Sequence, residues 1–374
     1  MATPSPVRYI RVQAKPNFFS PAVRPTGNIA IIGAVTAAAG ATGLIPVNEP
    51  KVFADPDDAL KQAPGPLGTA VALALRQEPG PGDVYAVRLA DQPNVDETLA
   101  VIKTLAVQFV VIADTPLEVP AGGQPTEAIV KLADHVKGPF GEGLERMGVA
   151  MLGTGDHDPS IITGALNTDR MVYVAHKSAE DVAAAVAGTI GGYDPQVSML
   201  LKKVGVTSAE FTADELITIN GSEDDSSPPA GNNLNWLVNP ALIPGQGVYL
   251  GEGYTGANGT TDKKYIDIVR TLDDLTFRLK ASLITTIGEL RISRTGLRAL
   301  AGQMEGVLEP LRRSEVIEDY EVVIPVLQLF DKPQPTPEDE KIMAAARRDR
   351  LAEAMVQITY AGAIHRLSIK LTFK

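Results

Sequence analysis

Two hydrophobic periods alternate along the first two thirds of the chain. Short apolar runs at 29–35 (IAIIGAV), 84–90 (VYAVRLA), 108–113 (QFVVIA), 149–152 (VAML) and 170–175 (RMVYVA) have the length and β-branched content of buried strands. Between them, 67–77 (LGTAVALALRQ), 95–106 (VDETLAVIKTLA), 125–137 (PTEAIVKLADHVK) and 178–190 (SAEDVAAAVAGTI) read as helices. Ser178 with Asp181 makes a loose capping box, since Glu or Gln is the usual third residue on. Strand and helix joined by short Gly, Pro and Asp linkers predict an α/β layer on a mostly parallel sheet.

The pattern breaks at 220–262. NGSEDDSSPPAGNN is polar and rich in Pro and Gly, and GEGYTGANGTTD is Gly-rich. Between them WLVNPALIPGQGVYLG holds the only Trp and one strand, Val248 to Leu250. This region is the expected domain boundary or a pair of exposed loops. Beyond it the sequence predicts a strand at 264–270 (KYIDIVR), a helix from Leu272 to about Ile287 and a second from Thr295 to Arg312. In the latter Leu297, Leu300, Met304, Val307, Leu308 and Leu311 recur at helical spacing. A strand at 319–330 split by Pro325, a proline-rich joint (DKPQPTP) and a charged segment from Glu338 to Arg350 follow.

The closing stretch alternates with period two. Ala352, Ala354, Val356, Ile358 and Tyr360 share one face, then the small-residue joint Ala361-Gly362-Ala363 intervenes. Leu367, Ile369, Leu371 and Phe373 share a face of the next run, opposite Arg366, Ser368, Lys370 and Thr372. These are two half-buried strands, and the second has a hydrogen-bonding edge that must be met by its own chain or a neighbour. At the other end, Val7 to Val12 is a strand candidate between prolines, too small to fold alone. The expected organisation is an arm at 1–26, an α/β unit at 27–235, an α+β unit at 236–362 and a strand arm at 363–374.

Composition narrows the function. The chain has 374 residues, 44% of them hydrophobic and 21% charged, as in an ordinary globular protein with room for two domains. A net charge of −11 argues against non-specific nucleic-acid binding. With no cysteine, disulfides and thiolate metal sites are impossible. No apolar run has the ~20 residues of a membrane helix. The nearest, Ile29 to Ala39, is broken by Gly33 and Thr36 and follows five prolines, so no signal peptide and no membrane insertion are expected.

Few motifs carry chemistry. Gly251-Glu252-Gly253-Tyr254-Thr255-Gly256 matches the dinucleotide fingerprint, with Asp273 and Asp274 some twenty residues on. The residues after it have loop composition, and no helix start is placed to take a pyrophosphate, so a flexible surface loop is expected. Gly153-Thr154-Gly155-Asp156-His157-Asp158 could ligate a metal, but the remaining histidines (His135, His176, His365) lack ligand spacing; a solvated turn with Asp158 near a helix start is expected. Glu223-Asp224-Asp225 reads as a solvated loop. Arg347, Arg348 and Arg350, around Asp349, form a basic cluster suited to an acidic partner or to a solvated helix end. No GxSxG, P-loop, HExxH or CxxC occurs, and no catalytic residue, cofactor or metal is assigned.

The order of parts in the second unit resembles the tail sheath proteins of contractile phage tails and contractile injection systems. GQGVYLG is similar to the family's Gly-rich strand before a variable loop. Tyr265 to Asp273 is similar to its aromatic-aliphatic strand and helix start, with Val269 where the family often has a second Arg. Ile317 to Val322 resembles the strand after the helix pair, and Tyr360 to Ile369 the closing strand. The resemblance covers about 246–374; in the α/β part RMVYVA matches best. It implies a non-enzymatic structural subunit with an outer α/β domain and an inner, tube-facing α+β domain. Subunits would stack as six-fold rings around a tube, and contraction would drive that tube through a target envelope. It further implies partners: other copies of the chain, the inner tube protein, and baseplate and terminator proteins. The N- and C-terminal arms would add strands to neighbouring sheets. Val7, Tyr9 and Arg11 would belong to the donated N-terminal strand, and Leu367, Ile369, Leu371 and Phe373 to the C-terminal one. Ala354, Val356 and Ile358 would lie in the receiving sheet, and Arg347, Arg348 and Arg350 would face the tube. The particle would be a virion tail or an extracellular injection device assembled in the host cytoplasm. The alternative is a nucleotide- or small-ligand-binding α/β enzyme using the Gly251 to Gly256 loop.

Overall fold

Strand β1 (Ile29–Gly33) is buried along its whole length, with a parallel neighbour on each side. The computed structural model describes residues 25–36, 41–90, 95–118, 124–138, 144–222, 231–240, 242–243, 247–257 and 264–365. After β1 come β2 (Lys51–Phe53), α1 (Pro56–Gln62), α2 (Pro66–Leu75), β3 (Val84–Arg88), α3 (Val95–Ile102), β4 (Phe109–Pro116), α4 (Glu127–Val136) and β5 (Met147–Met151). Then follow β6 (Met171–Ala175), α5 (Val182–Gly192), β7 (Lys203–Val204), α6 (Ala213–Asn220), β8 (Asn235–Val238) and β9 (Val248–Leu250).

These strands form one nine-stranded sheet in the order β2-β3-β1-β4-β5-β6-β8-β9-β7. The six strands from β3 to β8 in that order are parallel, and β2, β9 and β7 add antiparallel margins. Successive side chains of a strand point to opposite faces, so each strand feeds two cores. Ile29, Ile31, Phe109 and Val111 pack under α2 and α5. Ala30, Ile32, Val110 and Ile112 pack under α3 and α4 on the other face. Burial on both sides explains why these strands read as continuous apolar runs.

Helix α5 begins at Val182, with Asp181 rather than Ser178 as its cap. Asp181 accepts the Ala184 N–H at 3.0 Å and, through its other oxygen, the Asp114 N–H at 2.8 Å, tying the helix start to β4. Ser178 Oγ instead accepts from Glu180 N.

The second unit is smaller. Helix α7 (Ile266–Leu283) and a 3-10 turn (Ile284–Thr286) lead to α8 (Arg294–Arg313), β10 (Ile317–Val323), α9 (Pro325–Asp331), α10 (Pro337–Asp349) and β11 (Met355–Tyr360). Two expected strand segments are helical. KYIDIVR contributes one bridge residue, Tyr265, and then opens α7, because Ile266 and Val269 are the sheet-facing pair at helical spacing. Their polar neighbours Asp267, Arg270, Asp273 and Asp274 are also buried, which hides the helical period. Residues 325–331 are α9: Pro325 occupies its first turn, where a fixed φ and a missing N–H are tolerated. The charged segment at 338–350 is α10, opened by a Thr336–Asp339 capping box.

Strands β8 and β9 pair within the large sheet, so the sheet continues past the expected division at 235/236. The GEGYTG stretch is likewise not a surface loop: Glu252, Tyr254 and Thr255 are buried. Its glycines admit neighbours. A methyl on Gly251 would overlap the Trp236 indole, and one on Gly256 would lie 2.6 Å from the Tyr173 ring.

His135, at the end of α4, is held neutral. Burial first, then the Arg146 and Lys103 charges, lower its pKa from 6.5 to about 4. An unfolded chain takes up this proton near 6.5 and the folded one only near 4. Stability from this group is therefore complete above 6.5 and falls as the pH drops toward 4, by about 3 kcal/mol. Urea unfolding at pH 7.0 and 4.5 should show a smaller acid loss in His135→Leu than in the parent; an equal loss would contradict the assignment.

Candidate assembly interface

The second unit's sheet has only two strands. β10 and β11 run antiparallel in the register Tyr320↔Ile358 and Val322↔Val356, with an irregularity between Ile317 and Asp319. An isolated pair of strands is marginal in water. Here one face is covered: Tyr320, Val322, Val356 and Ile358 pack against Leu275, Leu308, Val316 and Ile317, between α7 and α8. The other face presents Asp319, Glu321, Met355, Gln357 and Thr359 to solvent. Among the described residues no third strand joins, so each strand keeps an open row of backbone donors and acceptors. The two margins differ: β10 carries Glu318, Asp319 and Glu321, whereas β11 (MVQITY) has no charge and no proline.

The residues expected in the receiving sheet split between two clusters. Val356 and Ile358 pack on the α7–α8 core, while Ala352 and Ala354 precede β11 and pack with Leu297, Ile324, Val326 and Met343. Val7, Tyr9, Arg11, Leu367, Ile369, Leu371 and Phe373 lie outside the described residues, as does Glu223-Asp224-Asp225. The three candidate arginines sit at the end of α10. Arg347 lies 4.8 Å over the Phe330 ring and donates to the Ile292 carbonyl. Arg348 pairs with Asp349 at 2.8 Å, and that neighbouring carboxylate holds the guanidinium pKa up. Arg350 ends the helix in the left-handed region, at φ 53°.

A polar junction links the two units. Arg270 donates to the carbonyls of Tyr193 (2.7 Å), Thr26 (3.1 Å) and Asp194 (3.2 Å), over the Phe109 ring. Arg170 makes a two-pronged pair with Asp273 at 2.6 and 2.9 Å. Tyr360, the last residue of β11, donates to Asp267 Oδ2 at 2.7 Å; burial, then that carboxylate, pushes its phenol far up. In sequence Asp273 stands out only by its distance from the Gly251–Gly256 stretch, and Arg270 only within the Tyr265–Asp273 resemblance; neither signal points to this junction.

Asp156, His157 and Asp158 line a cavity of about 720 Å³ at the ends of β4, β5 and β6, with Asp114, Glu118 and His176. Asp158 caps a short 3-10 turn, accepting from Ser160 N at 2.9 Å, as expected of a turn residue. Burial raises the Glu118 pKa and lowers that of His176. Among the described residues, no group of three or more His, Asp or Glu side chains is placed to hold a metal, and no helix is long and apolar enough to cross a membrane.

The fold of this chain is similar to that of solved contractile injection-system structures. The anti-feeding prophage helical sheath in the contracted state aligns with 100% of this chain and 99% of its own, at 14% identity and a TM-score of 0.64. The PVC sheath complex of an extracellular contractile injection system, also contracted, gives 100% and 99%, 15% identity and 0.64. A six-fold symmetrised anti-feeding prophage baseplate gives 100% of both chains, 14% and 0.64. No protein-family profile and no curated protein sequence matches the chain.

The glycine packing is testable with the single Trp. Gly251→Ala should lower unfolding free energy by about 1–3 kcal/mol through overpacking, and should shift the Trp236 fluorescence of the folded state. Unchanged stability would mean that the indole does not lie on Gly251.

Proposed function

We propose that the chain is a structural sheath subunit of a contractile injection particle or phage tail, polymerising around an inner tube and contracting to drive it through a target envelope. The observation that carries this reading is the two-stranded sheet with no third strand on either margin among the described residues, on a chain whose fold aligns with sheath structures over its full length. Strand addition supplies main-chain hydrogen bonds, with alternate side chains setting specificity. A head-to-tail contact of this kind builds an open helical polymer or a ring. In this reading residues 7–11 and 367–373 are donated strands, and Ala354, Val356 and Ile358 belong to the receiving sheet. The partners are further copies in six-fold rings, an inner tube, a baseplate and a terminator. The α/β unit faces outward and the α+β unit inward, with Arg347, Arg348 and Arg350 toward the tube. Contraction is driven by the difference between a metastable extended lattice and a more stable contracted one, without catalysis. The particle acts outside the producing cell, after assembly in its cytoplasm. Packing of Gly251 and Gly256 against aromatic rings accounts for the glycines on which a nucleotide-binding reading would rest.

Electron microscopy of the purified chain should show long helical tubes. Deleting residues 366–374 should leave a folded subunit without tubes; unchanged tubes after deletion would sink the strand-exchange reading. Arg348→Glu with Arg350→Glu should preserve tube formation by the sheath alone but weaken binding to an acidic inner tube by tenfold or more, as measured by co-sedimentation. Unchanged co-sedimentation would remove these arginines from the contact.

A further inference from the structure

The loop between α5 and β7 meets the C-terminal end of the described chain directly and the N-terminal end through Arg270. Its Tyr193 and Asp194 carbonyls accept from Arg270, whose guanidinium also donates to Thr26, close to the first described residue. The Gln196 carbonyl lies 3.4 Å from the Tyr360 hydroxyl, whose proton goes to Asp267. Ser198 Oγ lies 2.8 Å from His365 Nε2, and His365 Nδ1 lies 3.0 Å from Glu252 Oε2. Glu252 is 4% exposed, and the imidazole meets the Tyr265 ring edge-on at 4.7 Å.

The hydrogen-bond chemistry orders this contact. A carboxylate can only accept, so Nδ1 donates to Glu252. In the neutral ring Nε2 then accepts the Ser198 hydroxyl proton, while Ser198 Oγ accepts the Leu200 N–H at 3.3 Å. Ser, His and acid stand in the order of a hydrolytic relay. Here the Leu200 N–H engages the Ser198 oxygen and Tyr265 covers the imidazole, so the arrangement holds a chain segment in place. Ile364, one residue earlier, is 84% exposed, so His365 is what returns this segment to the body of the subunit.

We propose that the Tyr193–Ser198 loop is a common anchor for the two terminal segments, with Ser198, Glu252 and His365 clasping the C-terminal one. The point of departure from the subunit is then after His365, not at Ala361-Gly362-Ala363. A pull on either segment reaches the same loop. The proposal rests on the strand-exchange reading for its consequence but not for its contact.

The chain has no cysteine, so Gln196→Cys with Ile364→Cys places two unique thiols beside the clasp. A short flexible bis-maleimide is applied to assembled tubes of this variant. The expected product is a link within one chain, migrating as a monomer in denaturing gels and reduced severalfold by adding His365→Ala. Links between chains, or a yield indifferent to His365→Ala, would overturn the clasp. Labelling of Ser198 by a fluorophosphonate would also overturn it as a purely mechanical contact. The two readings separate cleanly. Tubes that survive deletion of 366–374 while the intrachain link persists refute strand exchange and leave the clasp. Interchain links with deletion-sensitive tubes do the reverse.

Discussion

One buried guanidinium sets the terms on which the two units meet. Arg270 lies in α7 between two apolar segments: Ile266 and Val269 insert into the sheet core, and Leu275 and Leu279 into the smaller one. A buried charge costs several kcal/mol unless its hydrogen bonds are met. Three carbonyls and the Phe109 ring meet those of Arg270. The backbone at Thr26 and at Tyr193–Asp194 must therefore hold its position for α7 to cross at all. Asp273 and Asp267 extend this polar seam to Arg170 and Tyr360. The junction is directional as a result, since hydrogen bonds fix orientation where apolar contact alone would allow sliding.

The two sheets are built in opposite ways. The six central strands of the large sheet are parallel and covered on both faces, so their backbone bonds are shielded from water. The smaller sheet is the opposite case: among the described residues it has one bare face and no third strand on either margin. A protein meant to stay monomeric guards such margins with charge or proline. β10 does so with Glu318, Asp319 and Glu321, but β11 does not.

Much of the sheet is legible because burial on both faces writes unbroken apolar runs: β1, β3 and β6 fall within the expected segments, β4 runs three residues past its own, and β5 starts two residues before its own. The short strands β2, β7 and β8 escape, being two to four residues long. The start of α7 was misread because its buried stripe is polar, and the period that identifies a helix assumes an apolar one. GEGYTG was taken for a loop because glycine has two uses, turning the chain and admitting a neighbour. Which use applies at Gly251 depends on Trp236, fifteen residues away and on the adjoining strand. The closing alternation predicted the half-buried faces of Val356 and Ile358 correctly. The His365–Ser198–Glu252 contact joins positions 113 and 167 residues apart and leaves no trace in local spacing.

The alternation of β11 has a mechanical corollary. Val356 and Ile358 face the helices while Met355, Gln357 and Thr359 face water. A strand laid along either margin must match that alternation, because a one-residue slip turns every side chain to the wrong side. Permitted misalignments therefore come in pairs of residues, steps of about 7 Å. A joint of this kind cannot creep by small increments under tension. It holds its register or jumps a full notch, which gives a polymer made from it a built-in ruler.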